Sequence, residues 1–299
     1  MTIQRILGSV FFVTLTACAA EATESPAIRV CSEAHTQRIA VNGVSLQRIA
    51  LNGIQSNGIQ NNGIQGNGIQ ANGVQNNGVQ IDGVRLEGIQ QSGIRLGAVS
   101  LDVGRTVMAV LSDGKTLGLT VTATERSAEQ PDVVLHELSY QGESICADGT
   151  KGVFVPGVWD GRAAHHASDT MASFSCVSGA IAKCVLWGYD PERVGAGLHQ
   201  ACTRMVRADY CGTGESFTRD GTSIDLFDTR GIQRAANEPG FSFEAGWSEK
   251  GAVCVSRPRL AGDVPSCWSA LPACSTFDEA KTHGATMANL SRPSREVCR

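Results

Sequence analysis

Between Ile39 and Val99 every fifth residue is isoleucine or valine, at positions 39, 44, 49, 54, 59, 64, 69, 74, 79, 84, 89, 94 and 99. In most units glycine comes immediately before and asparagine before that, as in Asn52-Gly53-Ile54-Gln55-Ser56. A period of five fits neither regular element. On a helix five steps rotate about 140°, which smears the apolar set around the axis. On a strand odd steps send successive apolar residues to opposite faces. All thirteen share one side only if the chain turns once per unit, which is a repeat architecture. The ends differ from the middle. The fifth place is apolar at Val41, Leu46 and Leu51, polar or small from Ser56 to Asn76, and mostly apolar again from Ile81 to Leu101. Atypical terminal units are what a stack needs to cap itself.

This stretch resembles the pentapeptide-repeat proteins. The resemblance implies a four-sided right-handed β-helix with one unit per side, about three coils at roughly 4.8 Å spacing, with Asn side chains stacked in ladders. The family's usual small residue and Asp/Asn before the central apolar one are here Asn and Gly, which shifts the register. The alternative is a flexible Gly/Asn/Gln-rich stalk. A third reading makes the Asn/Gln faces themselves the binding surface for a glycan or peptide.

Residues 1–17 read as a secretory leader, with Arg5 the only charge and a short apolar run from Ile6 to Leu15. Leu15-Thr16-Ala17-Cys18 resembles the lipobox of bacterial lipoproteins. That resemblance implies cleavage between Ala17 and Cys18, lipidation of Cys18, and, with Ala at position 19, sorting to the outer membrane. The alternative is an ordinary leader cut after Ala17, Ala19 or Ala20. No other apolar stretch is long enough to span a membrane. The expected organisation is leader 1–17, an Ala/Glu/Thr-rich tether 18–37, the repeat 38–104, and a cysteine-rich domain 105–299.

The eleven cysteines support export. Setting Cys18 aside leaves Cys31, Cys146, Cys176, Cys184, Cys202, Cys211, Cys254, Cys267, Cys274 and Cys298, an even number without any Cys-x-x-Cys. In an exported chain these are structural disulfide candidates, with connectivity open. The net charge of −4 argues against a general nucleic-acid binder.

Local pattern places strands at 106–111, 116–123 and 133–140, a strand broken by Pro156 over 152–159, and strands at 223–228, 241–247 and 252–256, the last two forming a hairpin. Helices are expected at 179–187, 194–210, where Leu198, Cys202, Met205 and Val206 make an apolar stripe, and 276–282. Cys211-Gly212 reads as a glycine stop. The expected fold is therefore a short β-helix-like repeat followed by a disulfide-rich α+β domain.

The run Ala201-Cys-Thr-Arg-Met-Val-Arg-Ala-Asp-Tyr-Cys-Gly212 resembles the ADYC domain of secreted, often myxobacterial, proteins. Residues 180–189, 218–228 and 243–254 fit the same pattern. The resemblance spans 105–299 and implies an exported, disulfide-bonded module with no stated activity. Asp209 is expected to pair with Arg204, Arg207 or a loop amide, since a bare carboxylate at a helix C-terminus opposes the dipole. Tyr210 and Trp187 read as core aromatics.

Candidates for chemistry are few. His165, His166 and Asp169 form one small cluster, and His199 lies one turn from Cys202, a base–nucleophile pair only if that thiol is free. Asp220, Asp225 and Asp228 offer clustered oxygens without EF-hand spacing, so turn plus strand is the plainer reading. Esterase-elbow, phosphate-loop and zincin motifs are missing. The expectation is an envelope protein held by a lipid anchor, serving binding or structural interaction with an unknown protein or glycan, with no cofactor or metal. The rival is a hydrolase using His199 or the His165/His166/Asp169 group.

Overall fold

The structure is a computed structural model that describes residues 49–52, 79–81, 84–90, 101–146, 150–219, 222–236 and 239–292. Cys18, Cys31 and Cys298, the leader, the tether and the middle of the repeat lie outside the described residues.

Strands dominate. In chain order they are β1 Ile49–Asn52, β2 Gln80–Ile81, β3 Val84–Gln90, β4 Thr106–Leu111, β5 Thr116–Arg126, β6 Val134–Tyr140, β7 Glu143–Ser144, β8 Gly152–Pro156, β9 Val158–Trp159, β10 His165–His166, β11 Met171–Cys176, β12 Thr222–Asp228, β13 Ser242–Ser248, β14 Gly251–Val255 and β15 Met287–Ser291. The helices are short: α1 Ala180–Leu186, α2 Pro191–Val194, α3 Ala196–Arg207 and α4 Phe277–Thr282.

Six strands close on themselves. The order β3-β4-β5-β6-β8-β11 is antiparallel throughout, and β11 returns to β3, so every strand has two neighbours. β11 manages this by splitting: Met171 and Ala172 pair with Gln90 and Ile89, while Ser173 to Cys176 pair with Val155 to Gly152. Closure removes edges, the usual liability of a sheet. The lumen is filled by aliphatic residues, among them Leu86, Ile89, Val107, Leu119, Val121 and Leu138, with Phe174. Alternation sets this: in β4 the buried residues are Val107, Ala109 and Leu111 while Thr106 and Met108 face out.

The second half is a five-stranded antiparallel sheet, β1-β12-β15-β13-β14. α3 packs over one face through Leu198, Met205 and Val206 with Ile224, Leu226 and Trp247. α4 covers the other with Phe277 and Ala280 against Phe243, Cys254 and Ala288. Thr276 starts α4 by accepting from Glu279 N at 3.2 Å.

Two expectations need correction. The domain is mostly β, built on a closed barrel, and not the α+β fold expected. The pentad β-helix is also not what the structure shows. Its described parts, β1, β2 and β3, are antiparallel strands inside the two sheets rather than stacked coils. The reason lies in the terminal units. Val79 and Ile81 are two apart, the strand period, and both are buried. Leu86 and Ile89 are an odd three apart, yet both are buried, because the ladder with β4 slips between Leu86 and Gly88. A bulge adds one residue and restores phase. Gly88 is needed there: a Cβ would come 3.0 Å from the Ala172 carbonyl and 2.9 Å from the Met171 side chain. The barrel thus draws on both sides of the boundary expected at 104/105.

Candidate functional site

The ADYC tetrad sits at the end of α3. α2 prepares that helix: Asp190 accepts from Glu192 N at 3.0 Å, and Pro191 starts α2. α3 ends when Ala208 enters the left-handed region (φ 51°) and its N–H returns to Arg204 and Met205 carbonyls. The glycine stop expected at Cys211-Gly212 is therefore not what ends the helix, which stops four residues earlier, at Ala208. Gly212 (φ 67°) has another task, since a Cβ there would lie 1.9 Å from the Lys250 carbonyl oxygen.

Each remaining residue of the tetrad ties α3 to a different part of the domain. Asp209 pairs with the Arg204 guanidinium, both buried, and accepts from Thr213 N at 3.0 Å and Gly214 N at 2.9 Å. Arg204 reaches onward to the Arg162 carbonyl at 2.7 Å. Tyr210 stacks on Trp247 at 5.1 Å, donates to Glu244 Oε1 at 3.0 Å and accepts from Arg259 N at 2.8 Å. Burial and the neighbouring Glu244 carboxylate push its phenol well above the usual value, so it stays protonated. Cys211 is joined to Cys267.

Behind Tyr210 lies a fully buried ion pair. Arg259 Nε lies 3.1 and 3.0 Å from the two Glu244 oxygens, and Nη2 lies 2.9 Å from Oε1. The same guanidinium donates to the Met205 and Val206 carbonyls at 2.7 and 2.9 Å. Arg259 is thus also the cation at the negative end of α3. Glu244 further accepts from Asn289 Nδ2 at 2.9 Å and from Ser291 Oγ, and Asn289 accepts from Trp247 Nε1 at 2.8 Å. Burial alone would raise the Glu244 carboxyl, but Arg259 and these hydrogen bonds hold it below the usual range. Sequence reasoning passed over Glu244, Arg259 and Asn289. The available signal was one carboxylate in the otherwise uncharged strand 242–248.

The histidine candidates fall at the seam between the halves. Trp159 lies between His165 (centroids 4.6 Å apart) and His199 (5.6 Å), and its Nε1 donates to Gln200 Oε1 at 2.8 Å. Gln200 Nε2 donates to the Ala163 carbonyl at 2.7 Å. His199 is fully buried; its Nδ1–H donates to the Tyr189 carbonyl at 2.6 Å, and Nε2 has no hydrogen-bond partner among the described residues. Burial lowers this imidazole to about 4. His165 Nε2 donates to the Pro156 carbonyl at 3.1 Å and is also lowered, chiefly by burial. His166 points elsewhere, to Asp160 Oδ2 at 2.9 Å on the surface. So His165 and His199 share a tryptophan, while no hydrogen bond links Asp169 or His166 to either.

Cys202, the nucleophile that His199 would need, is bonded to Cys184. The other bridges are Cys146–Cys176 and Cys254–Cys274, with Cα separations of 5.7 Å in both. Asp225 accepts from Ala236 N at 3.0 and 2.9 Å. Asp228 accepts from Tyr189 Oη at 2.8 Å and from the Arg230 and Gln233 amides at 2.7 Å each. These two carboxylates hold loops, and Asp220 lies outside the described residues. Among the described residues no group of three His, Cys, Asp or Glu side chains is placed to hold a metal ion. Trp187 is core, and its carbonyl accepts from Gln233 Nε2 at 2.9 Å.

One surface stands out by its lack of charge. On the outside of the β4–β5 hairpin, Thr106 faces Thr120, Met108 faces Gly118 and Val110 faces Thr116 across the strands. All but Val110 are exposed, and Val110 is half-buried.

The four disulfides among the described residues point to an oxidising compartment. No helix among the described residues is long and apolar enough to cross a membrane. No curated protein and no solved structure matches the chain. Residues 100–261, more than half of the chain, match the ADYC domain, and this span includes Ala208-Asp209-Tyr210-Cys211, the staple at the end of α3. The chain belongs to the ADYC domain family.

Proposed function

We propose that this is a lipid-anchored bacterial envelope protein, of the myxobacterial type, whose disulfide-pinned β domain serves binding or structural interaction rather than catalysis. The observation that carries this reading is the fate of the tetrad. Asp209, Tyr210 and Cys211 are all spent on internal contacts, and the thiol nearest a buried histidine is in a disulfide. What remains outward is the uncharged β4–β5 face, which suits a protein or glycan partner better than an ionic one.

The lipobox-like Leu15-Thr16-Ala17-Cys18 supplies the anchor in this reading. A diacylated and N-acylated cysteine would hold the chain stably at a membrane. Cys18→Ala should move the protein from the membrane fraction to the soluble exported fraction. Retention in membranes would refute the anchor. A photo-crosslinking side chain at Met108 should capture a partner in intact envelopes, and one at exposed Asp263 should not; equal capture at both positions would remove the β4–β5 face from the proposal.

The hydrolase reading has one observation in its favour, the unpartnered Nε2 of His199. Against it, the Cys202 thiol is tied up in a disulfide, and the His199 ring has no exposed surface.

A further inference from the structure

β12 would be the edge of the second sheet were it not covered by a strand from more than 160 residues earlier in the chain. Ile49, Ala50, Leu51 and Asn52 pair antiparallel with Asp225, Ile224, Ser223 and Thr222. On its other side β12 pairs with β15. An open edge is a ready template for any extended segment, so the identity of the covering strand rests on what its sequence offers.

The chain holds that sequence twice. Gln47-Arg48-Ile49-Ala50-Leu51-Asn52-Gly53 is preceded ten residues earlier by Gln37-Arg38-Ile39-Ala40-Val41-Asn42-Gly43, which differs only by Val for Leu. The central units do not qualify. From Ile54 to Val74 the residue two after the apolar one is polar or small, as in Ile54-Gln55-Ser56. The apolar–small–apolar–amide pattern found in β1 is confined to the start of the repeat.

We propose that the β12 edge is a strand-acceptor site with two interchangeable occupants from its own chain, Ile49–Asn52 and Ile39–Asn42. In the second register Ile39 stands opposite Asp225, Ala40 opposite Ile224, Val41 opposite Ser223 and Asn42 opposite Thr222. Backbone hydrogen bonding is the same in both, and a Leu-to-Val exchange on an edge strand is a small difference. Moving between registers transfers ten residues into or out of the segment before the domain. That changes its maximum reach by about 33 Å. A donor on the same chain acts at a roughly millimolar effective concentration, so it prevails over a second copy at micromolar protein.

Amide hydrogen exchange at Thr222–Asp225 in the full chain tests this, with paired prolines that remove both adjacent N–H donors of a register. A50P/L51P and A40P/V41P should each leave β12 protected to within about twofold of the parent. The four substitutions together should speed exchange there by about tenfold or more. Unchanged exchange at the core amides of Trp247 and Leu119 would show that each variant is folded. The proposal fails if A50P/L51P alone deprotects β12 as fully as the combined variant, or if β12 stays protected in the combined variant. It fails equally if protection in A50P/L51P rises with protein concentration alongside a dimer mass, which would assign the donor to a second copy.

Discussion

The two halves of this domain solve the same problem with opposite materials. The barrel has a lumen of aliphatic side chains and Phe174, no edge, and one disulfide, Cys146–Cys176. The second half carries the buried pairs Glu244–Arg259 and Asp209–Arg204, the loop-holding Asp228, and three disulfides. Closure lets a small sheet satisfy its backbone and fill its centre by pattern alone. An open sheet between two short helices has more to satisfy: helix-end carbonyls, loop amides and a free edge. Arg259 answers the first, Asp209 of the ADYC tetrad answers the second, and a strand of the repeat answers the third. The family signature therefore marks the half that depends on specific polar contacts.

The sharpest way to break this contrast is to strand one buried charge. Arg259→Met leaves Glu244 without its cation and should cost about 4 kcal/mol. Hydrogen exchange should rise across β12 to β15 while the slowest barrel amides hold; equal loss in both halves would make the domain one cooperative unit. Replacing Cys211 and Cys267 together by Ala opens a loop of 56 residues and should cost about 4 kcal/mol on a chain-entropy estimate, again in the second half. Leu119→Ala is the barrel counterpart, expected to cost about 3 kcal/mol through a lumen cavity. Denaturant titration ranks all three.

The seam gives a pH-dependent test. The folded pKa of His199 is depressed from 6.5 to about 4, so the unfolded chain binds more protons between those values. Its contribution is complete above pH 6.5 and is lost as pH falls toward 4, a change of about 3 kcal/mol. His165 across Trp159 acts in the same direction, and Glu244, with a lowered pKa, adds acid sensitivity below its ordinary range. His199→Leu should flatten the slope between pH 6.5 and 4; an unchanged slope would place the titration elsewhere. Met108→Lys, on the outward face, should move stability by no more than about 0.5 kcal/mol.

Much of the local structure was legible. β4 spans 106–111 as read, the strand expected over 152–159 is interrupted just after Pro156, at Gly157, the 249–250 turn joins a true hairpin, and Asp209 finds Arg204 and loop amides. The misses have physical causes. β11, Met-Ala-Ser-Phe-Ser-Cys, is buried nearly throughout and so lacks the alternation that marks a half-exposed strand. β15 owes its place to partners some 40 to 70 residues away, which no local pattern shows. β3 was hidden inside the repeat, where a period of five masks a strand that keeps phase by a bulge at Gly88. Convergence of His165 and His199 on Trp159 depends on how the halves dock. The repeat misled for an instructive reason: thirteen units share one spacing, but only those with a second apolar residue two places on carry a strand signal.

The central claim is that the chemistry of the tetrad is structural and that the cysteines lock it in an oxidising compartment. Non-reducing peptide mapping by mass spectrometry of the purified full chain tests it most directly. The structure predicts Cys146–Cys176, Cys184–Cys202, Cys211–Cys267 and Cys254–Cys274, with no free thiol at Cys202. A free Cys202 beside His199, or Cys211 bonded to any partner but Cys267, would contradict the staple and restore the catalytic reading.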